Sequence, residues 1–220
     1  MRIALILLSY DSLIQNFQNT MITREEIQRL ENESAKKGIS KLQLMEHAGK
    51  GIFNVLSEKF DLKDKRILIV CYHGNNGGDG FVAARFLCEI TEVDVLFVGD
   101  EEFLKDEARI NYKRITHNER IQIIDDETMI DFDDFDIIID AIFGTGFKGK
   151  IDRDILYTID MINDARGFKV AIDIPTGING DTGEKSEKFV NADLIITFHD
   201  MKNGIADLAD KTVVVDIGLR

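Results

Sequence analysis

Cysteine, proline and tryptophan are scarce in this 220-residue chain, which has two cysteines, one proline and no tryptophan. Cys71 and Cys88 form no CxxC pair, so neither a disulfide framework nor a cysteine-ligated zinc site is expected. Such sparse cysteine use suits a reducing compartment, and the cytoplasm is the expected location. No apolar run reaches the roughly 18 residues that span a bilayer. The N-terminal Met-Arg-Ile-Ala-Leu-Ile-Leu-Leu is short for a signal peptide, and no small-x-small cleavage site follows it. Positive charge is also short: 27 Lys and Arg stand against 40 Asp and Glu, a net charge of −13. That balance repels phosphate backbones and anionic lipid, so neither nucleic acid nor a membrane is an expected partner. The four histidines (His47, His73, His117, His199) are scattered without ligand spacing, which argues against a transition-metal site. A serine nucleophile elbow and an obvious catalytic triad are missing as well.

What is present suits a packed enzyme-sized domain: 44% hydrophobic and 30% charged residues. Residues 1–20 have no regular pattern and read as an N-terminal extension; residues 21–220 read as one domain. Thr23-Arg-Glu-Glu26 and Ser40-Lys-Leu-Gln43 have capping-box spacing and open two amphipathic helices, the first stopped by Gly38. From residue 66 the pattern changes to short apolar runs separated by helical stretches. Strands are expected at 66–72, 93–98, 121–124, 135–142, 168–174, 194–198 and 212–217. Helices are expected up to Cys88, at 101–116 and at about 151–165. Near-continuous apolar strands alternating with helices mean a sheet covered on both faces. The expected fold is α/β: a Rossmann-like three-layer αβα sandwich with a mainly parallel central sheet. The acidic stretch Asp125–Asp136 lacks the central Gly and final Glu of an EF-hand and reads as a solvated connection.

In open parallel sheets ligands bind beyond the carboxyl ends of the strands. Three strands here end in unusual loops. Gly74-Asn-Asn-Gly-Gly-Asp-Gly80 has four glycines in seven residues, which permit close backbone approach and positive φ, ahead of a helix N-terminus that attracts anions. It contains Gly78-x-Gly80-x-x-Ala83, a match to the dinucleotide fingerprint, with Asp100 placed 20 residues on as a candidate ribose acid. Asp140-Ala-Ile-Phe-Gly-Thr-Gly-Phe-Lys-Gly-Lys150 satisfies GxxxxGK, but Ile151 stands where a P-loop needs Ser or Thr for magnesium, so a Walker nucleotidase is rejected. A flexible loop remains, with phosphate-seeking Lys148 and Lys150 and with Asp140 at the strand end. Asp173-Ile-Pro-Thr-Gly177 holds the only proline, Pro175, whose fixed φ would keep Asp173 and Thr176 in place. A rigid carboxylate in a cleft is a candidate acid or base. After a later strand, Lys202 can reach a phosphate or pair with a carboxylate.

Taken together, Gly74–Gly80, Asp140–Gly146, Asp173–Gly177 and Thr197-Phe-x-x-x-Lys202-x-Gly204 resemble the YjeF N-terminal domain family. Leu44-Met-Glu-His-Ala-Gly49 and Val-Val-Asp216-Ile-Gly218 also fit, so the resemblance covers about residues 21–219. It implies an NAD(P)H-hydrate epimerase, interconverting the R and S epimers of NADHX or NADPHX. By the same resemblance Asn75, Asn76, Gly77, Gly78 and Asp79 contact the hydrate. Gly144, Thr145, Gly146, Phe147, Lys148, Gly149 and Lys150 hold its phosphates, and Asp173 lies at the reacting end as the catalytic group. Potassium, K+, is implied at Asn76, Asp140 and Thr176, an oxygen donor set that suits a hard cation. A homodimer is implied, as is coupling to a separate NAD(P)H-hydrate dehydratase, since the sequence ends after Asp216-Ile-Gly218. Thr176 replaces the family's usual Ser but keeps the hydroxyl; His47 stands where Asn is common, which leaves the polar role of that position open. Two other readings stand beside this one: a non-catalytic binding or scaffold module on the same fold, and an NAD(P)-dependent oxidoreductase.

Overall fold

The computed structural model describes residues 21–147 and 149–219. The extension read at 1–20 therefore lies outside the described residues. Both capping boxes form: Thr23 and Glu26 exchange bonds at the start of α1 (Arg24–Lys36), as do Ser40 and Gln43 at the start of α2 (Lys41–Lys59). Each pairing satisfies orphan N–H groups at the helix start. Gly38 follows α1 at φ +91, a backbone that costs glycine nothing.

The rest alternates strand and helix: β1 (Arg66–Cys71), α3 (Asn75–Leu87), β2 (Glu92–Phe97), α4 (Asp106–Thr116), β3 (Ile121–Ile124), β4 (Ile137–Ala141), α5 (Arg153–Asp164), β5 (Phe168–Ile172), β6 (Leu194–Phe198) and β7 (Thr212–Val215). The strands form one sheet of order β3-β2-β1-β4-β5-β6-β7. Every pairing in it is parallel. Alternate residues serve opposite faces. Ile67, Ile69 and Cys71 pack with Ile52, Leu56 and Phe81 from α2 and α3. Leu68 and Val70 pack with Ile155, Ile159 and Ile162 from α5. Burial on both sides explains why β1, β4 and β6 are apolar almost throughout.

Three expectations change in the structure. The segment 74–80 is not a loop ahead of a helix: α3 begins at Asn75, with Gly74 as its N-cap. None of its glycines has positive φ. They are needed for close packing instead, because a Cβ on Gly77 would lie 1.8 Å from the Tyr72 carbonyl oxygen, and one on Gly80 2.7 Å from Cys71 Sγ. The stretch 101–116 is two pieces. Asp100 caps a short 3-10 turn (Glu101–Phe103), Leu104 turns into the core, and α4 starts afresh at Asp106. The acidic connection 125–136 carries two further 3-10 turns, Glu127–Met129 and Phe132–Asp134, each capped by an aspartate, and it anchors itself by burying Phe132 and Phe135.

The chain runs from β1 outward to β3, then returns to β4 on the other side of β1. The segments leaving β1 and β4 therefore diverge, and such a switch point opens a crevice at the carboxyl end of the sheet.

Candidate active site

A cleft of about 620 Å³ lies at this switch point. Asn75, Asn76 and Asp79 from α3, Gly144, Thr145, Gly146 and Phe147 from the segment after β4, and Asp173 from the end of β5 all line it. Gly77 and Gly78 are buried in α3 rather than on the wall, where a Cβ at Gly78 would meet the Met45 side chain at 2.6 Å. Gly149 and Lys150 are exposed and lie apart from the lining, and Lys148 lies outside the described residues.

Asp173 is the most constrained group in the cleft. Its φ is +64, unusual for a residue with a side chain, and such outliers gather where surrounding structure over-determines the backbone. Here the backbone N–H of Asp173 donates to the Ile196 carbonyl at 2.8 Å. Its Oδ2 accepts from the Thr145 N–H at 3.0 Å. Its Oδ1 accepts from the Thr197 hydroxyl at 3.3 Å and pairs with Lys202 Nζ at 2.7 Å. Lys202 is only 1% exposed and is saturated, donating also to Thr197 Oγ1 and to the Phe198 carbonyl, each at 2.7 Å. Of the two roles open to Lys202, the structure places it with the carboxylate. Burial alone would push the Asp173 carboxyl up, but the Lys202 charge and hydrogen bond, with those from Thr145, hold it below the usual carboxylate range.

Asp79 has the opposite setting. It lines the cleft and is half-buried. Desolvation, reinforced by the charges of Asp173 and Glu31, raises its carboxyl well above the usual range, against a weaker pull from Lys202. Glu31, reaching the cleft from α1, is also raised, by burial first. One cleft thus holds an ionised carboxylate beside one that resists ionisation, the separation that divides acid from base roles.

Asp140 and Thr176 sit behind the cleft wall, both wholly buried. Asp140 Oδ2 accepts from the Thr176 N–H at 2.8 Å, and Oδ1 accepts from the Thr176 hydroxyl at 2.7 Å and the Ile142 N–H at 3.1 Å. Burial pushes its carboxyl up to about 6, against these bonds. The Thr176 oxygen accepts in turn from the Phe143 N–H at 3.0 Å, which ties the β4 and β5 segments together. Asn76 is buried, and among the described residues its Oδ1 and Nδ2 have no hydrogen-bond partner. A buried amide with no protein partner has its oxygen available to a cation or a water. The donor chemistry of Asn76, Asp140 and Thr176 fits a hard monovalent cation, although no group of three or more His, Cys, Asp or Glu side chains converges among the described residues.

Gly78, Gly80 and Ala83 lie inside α3 rather than at its entrance turn, and the Asp100 carboxylate accepts from the Glu102 N–H at 2.8 Å as the cap of the 3-10 turn. The dinucleotide-fingerprint geometry is therefore not reproduced. His47 retains a polar function: its Nδ1 lies 2.8 Å from the Ile217 carbonyl, pinning the segment after β7 onto α2. The sequence reading missed Glu31 and the rings of Tyr72, His73, Phe103 and Phe143 on the cleft wall. An aromatic pair directly ahead of the glycine-rich motif was the available signal for two of them.

Comparison with known proteins places the chain among relatives. The family model described as "YjeF-related protein N-terminus" matches residues 41–204. A bifunctional NAD(P)H-hydrate repair enzyme Nnr of Methanothermobacter thermautotrophicus is 37% identical over 83% of this chain, and this chain spans only 36% of that protein's length. An NAD(P)H-hydrate epimerase of Nitrosopumilus maritimus is 35% identical over 87% of this chain and 90% of its own length. The crystal structure of yeast ynu0, YNL200c, superposes with a TM-score of 0.78 at 21% identity, covering 88% of this chain and 86% of that one, which establishes the shared fold. With the fold, the switch-point cleft and the model match all in place, the chain belongs to the YjeF-related N-terminal family.

Proposed function

We propose that this chain is an NAD(P)H-hydrate epimerase that interconverts the R and S forms of NADHX or NADPHX. Relatives bearing that name align over nearly their whole length. The observation that carries the reading is one cleft lined by two carboxylates in opposite settings: Asp173, paired with Lys202 and the Thr145 N–H, and Asp79, whose carboxyl desolvation raises.

The hydrated ring carbon bears a hydroxyl and neighbours the ring nitrogen. Asp79, held in its protonated form, donates a proton to the leaving hydroxyl. The carbon–oxygen bond breaks, water departs, and the positive charge spreads onto the ring nitrogen. The Asp173 carboxylate stabilises that cation, and Lys202 and the Thr145 N–H keep the carboxylate oriented without supplying a proton. Water then adds to the opposite face and returns a proton to the carboxylate left on Asp79, which inverts the centre and regenerates the starting state. The first turn of α3 has no side-chain cap, so its N–H groups are free to hold the pyrophosphate and fix the ring against Asp173.

Potassium belongs to the same proposal. Asn76, Asp140 and Thr176 would hold it, and it would supply a fixed positive charge between the segments after β4 and β5. A homodimer is part of the reading as well; half-exposed Val213 and Val214 on the open edge strand β7 support it, and sedimentation tests it. The interconverted epimer would feed a dehydratase reaction. Among the described residues no helix is long and apolar enough to cross a membrane.

The test is to incubate the protein with one resolved NADHX epimer, in potassium and then in sodium buffer, and to follow the other epimer by chromatography. Acceleration well above the spontaneous rate is expected, greater in potassium, and lost in Asp173→Asn with binding retained. A folded protein that accelerates nothing in either buffer overturns the reading in favour of a non-catalytic binding module.

A further inference from the structure

The cleft is chemically mixed. Its lining includes buried Asp173 and Lys202 with half-buried Asp79, and a set of half-buried to exposed rings, with Lys105 and Glu107 near Phe103 in sequence. Phe103, His73, Tyr72, Phe143 and Phe147 form a continuous row contributed by three separate segments. Phe103 and His73 have ring centroids 5.5 Å apart, and His73 and Tyr72 3.8 Å. Tyr72 and Phe143 meet edge-on at 5.0 Å, and Phe143 and Phe147 stack at 4.1 Å with planes only 12° apart. The row runs from the segment after β4, across the switch point, to the 3-10 turn after β2.

Two features set this row apart. Phe103 is 59% exposed even though the break after it turns Leu104 fully into the core; the same turn that buries one apolar side chain holds its neighbour out over the cleft. His73 stands between two rings, and burial holds its imidazole below the ordinary range, only partly offset by Asp100, so it presents a neutral flat face at pH 7. A shelf of flat, uncharged faces beside a helix N-terminus suits a planar heteroaromatic ring joined to a phosphate.

We propose that the outer part of this row, Phe103 with His73 and Tyr72, is a stacking subsite for the adenine ring of the substrate. This deepens the epimerase reading and rests on it. A nicotinamide dinucleotide has a ring at each end of a pyrophosphate. With the hydrated ring against Asp173 and the pyrophosphate on the first turn of α3, the second ring falls toward the end of β2, where Phe103 is held. Stacking gives affinity without reading the edges of the base, and it places part of the binding energy far from the reacting carbon, where it serves to orient the ring.

The test separates the two ends of the ligand. AMP and nicotinamide mononucleotide are titrated separately by calorimetry into the wild-type protein, Phe103→Ala, His73→Ala and Phe103→Trp. Both alanine variants should weaken AMP by about tenfold, the order expected for one lost base stack, and leave nicotinamide mononucleotide unchanged. Phe103→Trp should retain or tighten AMP. Phe103 is a surface residue, so its loss leaves the core intact. The subsite is overturned if wild type fails to bind AMP, if Phe103→Ala leaves AMP affinity unchanged, or if the variants weaken the mononucleotide instead. AMP carries no hydrated ring, so this outcome is read independently of the epimerase assay: a failed turnover assay with the AMP pattern intact rejects the activity and not the subsite.

Discussion

Replacing Lys202 with methionine keeps the length of the side chain and removes its charge. Lys202 and Asp173 are 2.7 Å apart with side chains only 2% and 12% exposed. At an effective dielectric near 20 their gross attraction is about 6 kcal/mol, set against the desolvation of both groups. Deleting one partner strands the other's charge, which costs about 3–5 kcal/mol in buried pairs. On a total stability of about 5–15 kcal/mol that is a large fraction. With a urea slope of about 2 kcal/mol/M, the unfolding midpoint should fall by about 2 M.

The pH dependence of this loss identifies its origin. In the wild-type protein the folded Asp173 carboxyl is lowered, so its contribution is present above the unfolded value near 4 and disappears only as pH falls through the lower folded value. In Lys202→Met the opposing charge is gone, only the Thr145 and Thr197 bonds still counter burial, and the folded carboxyl rises. The penalty is then full at pH 7 and shrinks as pH falls toward about 4, where the carboxyl is protonated without cost. Asp173→Asn added to Lys202→Met should recover part of the loss, since Asn tolerates φ +64 and can still accept from Thr145. Urea titrations at several pH values measure all three proteins. A Lys202→Met loss below about 1 kcal/mol, or one that does not vary with pH, would refute the buried-pair reasoning.

Other outcomes follow from the same geometry. Gly77→Ala should cost more than about 3 kcal/mol, or abolish soluble expression, because backbone rather than a flexible side chain fills the space 1.8 Å from the new Cβ; thermal unfolding measures it. Thr176→Val removes an oxygen that links Asp140 to the Phe143 N–H. It should lose about 2–3 kcal/mol of stability and any rise in Tm specific to potassium over sodium. Asp79→Asn should lower epimerase turnover by about a hundredfold, the scale of one proton-transfer group. It should leave stability at pH 7 undiminished, since burial already disfavours the charged carboxyl. A variant that keeps turnover would remove Asp79 from the mechanism.

Much of the architecture was legible locally. Capping boxes at Thr23 and Ser40, the strands at 121–124 and 194–198, and the break at Gly38 depend on contacts within a few residues, and they appear where the pattern placed them. Both-face burial made the strands uniformly apolar, so a covered parallel sheet could be read from composition alone. The motif glycines were correctly singled out, but the reason was not local. Their constraint is how the helix folds back on the end of β1 at Tyr72 and Cys71, and the approach of Met45 from α2. Nor could periodicity foresee the break after Phe103, because burial of Leu104 outweighed helix continuity.

By itself the sequence determined the order of elements and the three strand-end motifs, and it singled out Asp140, Asp173 and Thr176 by residue type and spacing; Asp79 came from the family resemblance. Tertiary structure alone decided their chemistry. Whether a carboxylate is charged depends on what surrounds it, and burial and partners come from segments distant in sequence. Lys202 therefore lowers the Asp173 carboxyl while desolvation in the same cleft raises that of Asp79, and rings from three strand ends meet in one row only because the sheet reverses its order between β1 and β4.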